Sequence, residues 1–410
     1  MATTETVTVG PLNLDLPRFA GGMKWIGVFG VIGVIGTGIT LAGAFGGNQD
    51  AWFSYQAAFA FWTATAVGGL ILLAAHHAAN AKWPTAIRRP MEAVAGAMPV
   101  MLVLGIPLLL PNALSAIYPW YHPEKFDAEL LHHFHGHKEL YLAPGVYYVR
   151  QAIYWVVFLL ATEVILSWSK KLDEVGGHEF IRKTRSFSAG MLPFIILAVT
   201  WAGFDWLMSL TPFWQSTIFG AYYGAGGFLA AIAIVTIACL ATRSDRSMFG
   251  YWMTKHHQHN LGKLLLAFVS FWAYIGFSQL LLVWIGNLPE EVPYYWIRLK
   301  TGWLPMSTFL IFGHFALPFV LLVPRTVKLM PRLLMAIAIW VLFVCMVDVY
   351  WMVLPALHED GPHYSLYNFT AFLGVGGIAA AFAIFRLRGR YLVPVKDPYL
   401  VDSLQYLQPH

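Results

Sequence analysis

Residues Ala189–Pro212 read AGMLPFIILAVTWAGFDWLMSLTP, an almost unbroken apolar run with one acidic residue, Asp205, near its end. About twenty apolar residues at 1.5 Å per residue span a hydrocarbon core about 30 Å thick, so the run is the length of a transmembrane helix. Leu333–Pro355, LLMAIAIWVLFVCMVDVYWMVLP, repeats the arrangement with Asp348 where the first has Asp205 and Pro355 where it has Pro212. The length of these runs decides the fold class. Their two aspartates raise the functional question.

Working outward, ten runs of this kind can be counted: Lys24–Phe45, Trp52–Ala78, Met91–Ile117, Val146–Trp168, Phe187–Leu210, Ser216–Ala241, Leu261–Ile285, Trp303–Val323, Leu333–Leu354 and Leu366–Phe385. With 58% hydrophobic and 11% charged residues and a mean hydropathy of +0.60, the chain belongs to the class whose solvent is lipid. The expectation is an all-α polytopic membrane protein forming one integral domain over residues 1–410. The first run exceeds the length of a signal-peptide core and has no small-residue cleavage site after it, so it reads as a retained span.

Alternate connections differ sharply in charge. Only Lys125, Lys138, Arg150, Arg298 and Lys300 fall on one side, and the rest of the 26 basic residues fall on the other. The positive-inside rule therefore places both termini in the cytoplasm. The pI near 9.0 reports this orientation and not nucleic-acid binding. The outer connections Tyr118–Gly145 and Asn287–Lys300 read as docking surfaces for partners.

Asp205 in span five and Asp348 in span nine both lie toward the outer end of an inside-to-outside helix. Four spans apart, they suggest a parallel repeat: spans two to five (residues 52–210) and six to nine (residues 216–354) as two four-helix bundles, flanked by spans one and ten. The outer ends of span three, GIPLLLPN, and span seven, LLLVWIGNLP, agree with it. A parallel repeat without matched Gly/Pro interruptions argues against a stand-alone inverted-repeat transporter.

Ionisable groups at membrane depth cost about 2.5 to 3.5 kcal/mol on insertion scales and mark functional paths. Four qualify: Glu163 in span four near the cytoplasmic end, His314 in span eight near mid-membrane, and Asp205 and Asp348 toward the outside. Their staggered depths suit a proton relay, with Glu163 and Asp205 as one ladder and His314 and Asp348 as another. Other readings stand beside it. Asp205 can pair with Arg150, Asp348 can accept from Ser, Tyr or Trp donors, Glu163 can be an interfacial packing carboxylate, and His314 a satisfied core histidine. Ser270, Tyr274, Ser278 and Gln279 of span seven recur at helical spacing and either line a wet cavity or join helices.

Two cysteines, Cys239 and Cys345, are too few for an iron–sulfur cluster, and no CxxCH motif for covalent haem is present. Intramembrane haem needs two His at matching depth, and only His314 lies deep. His133 and His137 have the spacing of two ligands on one helical face but lack an obvious third, so no metal site is assigned. Gly27, Gly30, Gly33 and Gly36 in span one, and Gly220 with Gly224 in span six, read as close-packing faces.

FDWLMSLTPFWQSTIFGAYYGAGG (204–227), NLGKLLLAFVSFWAYIGFSQLLLVWIGNLPEE (260–291), FGHFALPFVLLVPR (312–325) and VDVYWMVLPAL (347–357) together resemble the F subunit of alternative complex III. That complex is the bacterial quinol:cytochrome c oxidoreductase, and this subunit is a relative of the NrfD and PsrC membrane subunits. The resemblance runs from WPTAIRRPMEAVAGAMPVM (83–101) to YLVPVKDPYLVDSL (391–404). It implies two four-helix bundles flanked by extra helices, in the bacterial inner membrane. It implies partners: a second, similar membrane subunit usually credited with the quinol site, an outer iron–sulfur protein, multihaem cytochromes c and, in some settings, a terminal oxidase. It implies no intrinsic cofactor, with quinol at the neighbouring subunit and haem c and iron–sulfur clusters in the partners. The expected role is anchoring and proton conduction. The alternative is a subunit that itself binds quinol, with Asp205 or His314 accepting the hydroxyl proton.

Overall fold

The computed structural model describes residues 4–9 and 12–407. It is an all-α multi-pass membrane protein with ten helices long and apolar enough to cross a bilayer among the described residues: Met23–Phe45, Gln49–Ala78, Trp83–Leu109, Pro144–Val175, His178–Leu210, Phe219–Ala241, Lys255–Gly286, Leu304–Leu322, Pro331–Ala356 and Leu366–Leu387. They are numbered spans one to ten. Large apolar side chains face outward on these helices, among them Val31, Val34 and Ile35 of span one and Leu282, Trp284 and Ile285 of span seven. Such a surface is stable only when covered by lipid or by another apolar surface.

Span three begins and breaks earlier than its apolar run suggests. It ends in a tightened turn at Ile106–Leu109, and a separate short helix, Pro111–Ile117, follows. Pro107 and Pro111 lack the N–H groups that would continue one ladder, which accounts for the break. Ahead of span one, Thr4–Val9 pairs antiparallel with Leu12–Pro17, a hairpin outside the membrane part of the fold.

Span two is the central helix, buried over most of its length, and packs heavily on spans five, six and ten. Span six packs on spans two, nine, seven and five, and spans one and ten form a tight pair alongside. Glycines permit these approaches. A Cβ at Gly68 would lie 2.4 Å from the Gly227 carbonyl oxygen, and one at Gly227 would lie 2.4 Å from that of Ala64, so spans two and six meet backbone to backbone. Gly33 and Gly36 of span one meet Gly377, Ile378 and Gly374 of span ten in the same manner, and Gly220 meets Thr200 of span five. Gly224 makes only ordinary contact, Gly30 barely touches span ten, and Gly27 faces open space. Gly227→Val is expected to lower stability by about 3 kcal/mol through overpacking against backbone that cannot give way, read as a fall in the thermal unfolding midpoint in detergent. Gly27→Val, at the open position, is the control and should leave it unchanged.

The face carrying the basic connections is closed by the chain after span ten. Phe19 and Gly389–Arg390 exchange backbone hydrogen bonds, and Ser403 donates to the Trp83 carbonyl while accepting from the Ala86 amide. Beneath it lies a buried ionic cluster. The Arg89 guanidinium donates to both Asp173 oxygens at 2.6 Å, to Glu92 at 2.7 Å, to Ser169 at 3.1 Å and to the Tyr391 carbonyl at 3.0 Å. Arg390 reaches the same Asp173, and Arg88 pairs with Asp397 at 2.7 Å. The cluster fastens span three to span four and to the tail.

Candidate functional site

Span nine brings Asp348 to within five residues of its last full helical turn at Val353, toward the face opposite the basic one. The carboxylate is 1% exposed. Tyr222 of span six donates to Oδ1 at 2.6 Å, and the Trp272 indole of span seven donates to Oδ2 at 3.0 Å. Among the described residues no basic side chain pairs with Asp348. A carboxylate held only by neutral donors at membrane depth is unusual, because buried charges are ordinarily paired.

His314 of span eight stacks on the Trp272 ring, ring centroids 3.7 Å apart. Its Nε2 lies 3.5 Å from the Cys345 thiol, and its Nδ1 has no partner. Cys345 is three residues before Asp348 on the same helix, so one face of span nine carries both. The backbone around His314 winds as a π-helix over Leu310–Ala316. Pro318 supplies no N–H to the carbonyl one wide turn before it. That carbonyl, of Gly313, accepts from the Trp340 indole at 2.7 Å instead. Single π turns of this kind recur at functional sites, and this one carries His314.

Tyr222 and Trp272 form part of the wall of a cavity of about 690 Å³ between spans six, seven and eight and the short helix Val292–Lys300. Its lining is overwhelmingly apolar and aromatic and contains no Lys or Arg. Ser270, Tyr274 and Gln279, three of the span-seven polar residues, lie in the wall; Ser278 does not. Asp348 stands one hydrogen bond behind the wall, reached through Tyr222 or Trp272.

Asp205 occupies the corresponding place in span five with a different environment. Arg150 donates to both its oxygens at 2.9 Å, Tyr154 to Oδ2 at 2.9 Å, Tyr141 to Oδ1 at 3.0 Å and Gln151 to Oδ2 at 3.3 Å. The pairing with Arg150 open to the sequence is made here, and every lone-pair direction of the carboxylate is occupied. The two regions share a further device. Arg150 lies 3.7 Å over the Tyr141 ring and donates to that residue's carbonyl, and Arg298 lies 3.5 Å over the Tyr294 ring and donates to that residue's carbonyl. Arg150 continues to Asp205. Arg298 turns instead to the Met352 carbonyl, 3.0 Å away, and leaves Asp348 without it.

Of the four residues singled out by sequence, the structure brings His314 and Asp348 together around Trp272. Glu163 does not join Asp205. It is half-exposed on span four and forms a bidentate pair with Arg386 of span ten at 2.6 and 2.8 Å. Tyr222 and Trp272 were not distinguished by sequence, because one aromatic in an apolar helix looks like any other. In the loop 118–145, His135 pairs with Glu139 at 2.9 Å and His137 is exposed, while the side chain of His133 lies outside the described residues. Among the described residues no group of three or more His, Cys, Asp or Glu is placed to hold a metal ion.

Fold and site together define a multi-pass α-helical membrane protein with a bilayer-depth carboxylate behind a ligand-sized apolar cavity. No protein-family model matches the chain, and no curated protein matches it.

Proposed function

We propose that the chain is an integral membrane subunit of a quinol-oxidising electron-transfer complex of the alternative complex III type, anchoring that complex and exchanging protons at Asp348. The observation that carries the reading is the charge state of the two aspartate environments: Asp205 is neutralised by Arg150, whereas Asp348 has two neutral donors and no cation. A group built for structure alone is ordinarily paired, and an intramembrane carboxylate left unpaired beside a cavity is positioned to accept and release a proton. Tyr222, hydrogen-bonded to Asp348 and lining the cavity, links the two, and His314 with its unpartnered Nδ1 lies behind Trp272. The resemblance of the motifs quoted above suggests the setting, a bacterial inner membrane with a second NrfD/PsrC-like subunit, an outer iron–sulfur protein and multihaem cytochromes c, and the distribution of basic residues supports cytoplasmic termini. Redox centres would reside in those partners.

Purification from native membranes tests the assignment, with co-isolation of c-type haem as the expected result and a haem-free, partner-free protein as the result against it. In proteoliposomes of the isolated complex, Asp348→Asn is expected to slow proton-coupled quinol oxidation about a hundredfold, within the range of a lost acid–base group. Normal turnover in that variant would refute the proton role.

A further inference from the structure

The face carrying the basic connections holds two arginines that the fold itself does not use. Arg88, Arg89, Arg386 and Arg390 are each joined to a carboxylate. Arg182 and Arg185, in the first turns of span five, are exposed, and Glu179, the acid nearest to them in sequence, is paired with Lys183 at 2.6 Å. Both arginines line a cavity of about 420 Å³ together with Asn80, His178, Ile181 and Tyr399. Three elements build it. Span two ends at Ala78, and Asn80 turns the chain away in the left-handed region with a φ of 50°. Span five begins at His178, and the tail brings in Tyr399, its ring 5.9 Å from that of His178. No Asp or Glu stands in the lining, and every polar side chain in it can donate a hydrogen bond.

The cavity lies at the level of lipid head groups. Arg185 precedes Asp205 on one helix by a distance of about 30 Å at 1.5 Å per residue, the thickness of a hydrocarbon core. Trp168 and Phe187, ring centroids 5.4 Å apart, mark the aromatic boundary beside it. His178, Arg182, Arg185, Ala189, Pro193 and Ile196 recur at intervals of three and four residues and so share one face of span five. The last three are exposed, and a Cβ at the neighbouring Gly190 would meet nothing within 4 Å. This face is basic at the boundary and a shallow apolar channel of small residues below it, the pattern of a lipid head and tail.

We infer that this cavity binds the head group of an anionic phospholipid. The phosphate accepts from Arg182 and Arg185, with the Asn80 amide and the Tyr399 hydroxyl as further donors, and one acyl chain lies over Ala189, Gly190 and Pro193. Two guanidinium groups against one phosphate leave positive charge that a zwitterionic head group, carrying its own cation, meets less well, so the site selects phosphatidylglycerol over phosphatidylcholine. A lipid held there ties the start of span five to the end of span two and to the tail. The site is at the opposite end of the spans from Asp348 and rests on no part of the quinol-oxidising reading.

The test uses the full chain in a neutral detergent, titrated with dioleoyl-phosphatidylglycerol or dioleoyl-phosphatidylcholine, with lipid retention in native mass spectra as the readout. Phosphatidylglycerol is expected to bind at least about tenfold tighter, the contribution of two basic residues near a membrane surface. Arg182→Gln combined with Arg185→Gln is expected to abolish that preference at an unchanged thermal midpoint, because both side chains are exposed. Lys170→Gln combined with Lys171→Gln removes the same charge from exposed positions outside the cavity and is expected to bind within about threefold of native. Equal losses in the two double variants would reduce the effect to general attraction between charges and overturn the proposal. So would displacement of the lipid by inorganic phosphate alone, which would assign the cavity to a free anion. A lipid that binds the isolated chain but is absent from the protein purified from native membranes with its partners would assign the arginines to an acidic protein segment, and would overturn it too.

Discussion

Arg89→Leu is expected to prevent recovery of folded protein, or to lower its stability by about 3 to 5 kcal/mol, the usual cost of removing one partner from a buried ion pair. A domain has about 5 to 15 kcal/mol in total, so the loss is a large part of it. Arg89 is 0% exposed and supplies hydrogen bonds to Asp173, Glu92, Ser169 and the Tyr391 carbonyl. Without it two buried carboxylates share Arg390 alone, and the tail loses the bond from span three to the Tyr391 carbonyl. Breaking the Glu163–Arg386 pair by Glu163→Gln provides the contrast. That pair is half-exposed and bidentate, and its loss is expected to cost about 1 kcal/mol or less. The measurement is the yield of monodisperse protein together with the thermal midpoint of each variant in the same detergent. Equal midpoints for the two would refute the account of the basic face.

Arg89 also shows where sequence reading stops. Within WPTAIRRPMEAVAG it counts as one more positive charge flanking a span, and charge counting has no means of separating an arginine in water from one at 0% exposure. The acids that hold it, Glu92 and Asp173, lie in different spans, so the cluster depends on tertiary placement. The ten spans were legible because a bilayer demands a long apolar run for every crossing, a constraint no neighbour can override. The ends of span three were not, since Pro107 and Pro111 break the ladder inside a run that stays apolar. The hairpin at Thr4–Val9 and Leu12–Pro17 went unread although TETVTV and LNLDLP both alternate with period two. Four-residue spacing picked out Ser270 and Tyr274, which line the cavity, and Ser278, which does not, while Gln279 stands in the wall five residues after Tyr274. The cavity that gives them meaning depends on the separation of spans seven and eight, which leaves no local mark. Asp205 and Asp348 looked equivalent because the difference between them lies in the path of two arginines. Arg150 follows its tyrosine to the carboxylate, and Arg298 follows its tyrosine to a backbone carbonyl.

That difference makes the same substitution at the two aspartates fail in opposite ways. Asp205→Asn removes the charge facing Arg150, whose side chain is 13% exposed and whose guanidinium also stacks on Tyr141, and turns one accepting oxygen into a donor aimed at the donors around it. The partly buried cation is left uncompensated, and a loss of about 3 kcal/mol is expected. Asp348→Asn removes a charge that no cation faces. The Asn carbonyl still accepts from Trp272 or Tyr222, and the Tyr222 hydroxyl can accept from the new amide, so about 1 kcal/mol or less is expected. Thermal midpoints of the two variants in one detergent, read beside turnover in proteoliposomes, separate the roles. The expected pattern is a destabilised Asp205→Asn, and an Asp348→Asn of near-native midpoint with turnover slowed about a hundredfold. Arg150→Met combined with Asp205→Asn should recover part of the stability lost by Asp205→Asn alone, because it removes the unpaired charge together with its partner. Two variants of equal stability and equal turnover would mean that the cation beside Asp205 has no energetic weight, and the contrast on which the role of Asp348 rests would fall with it.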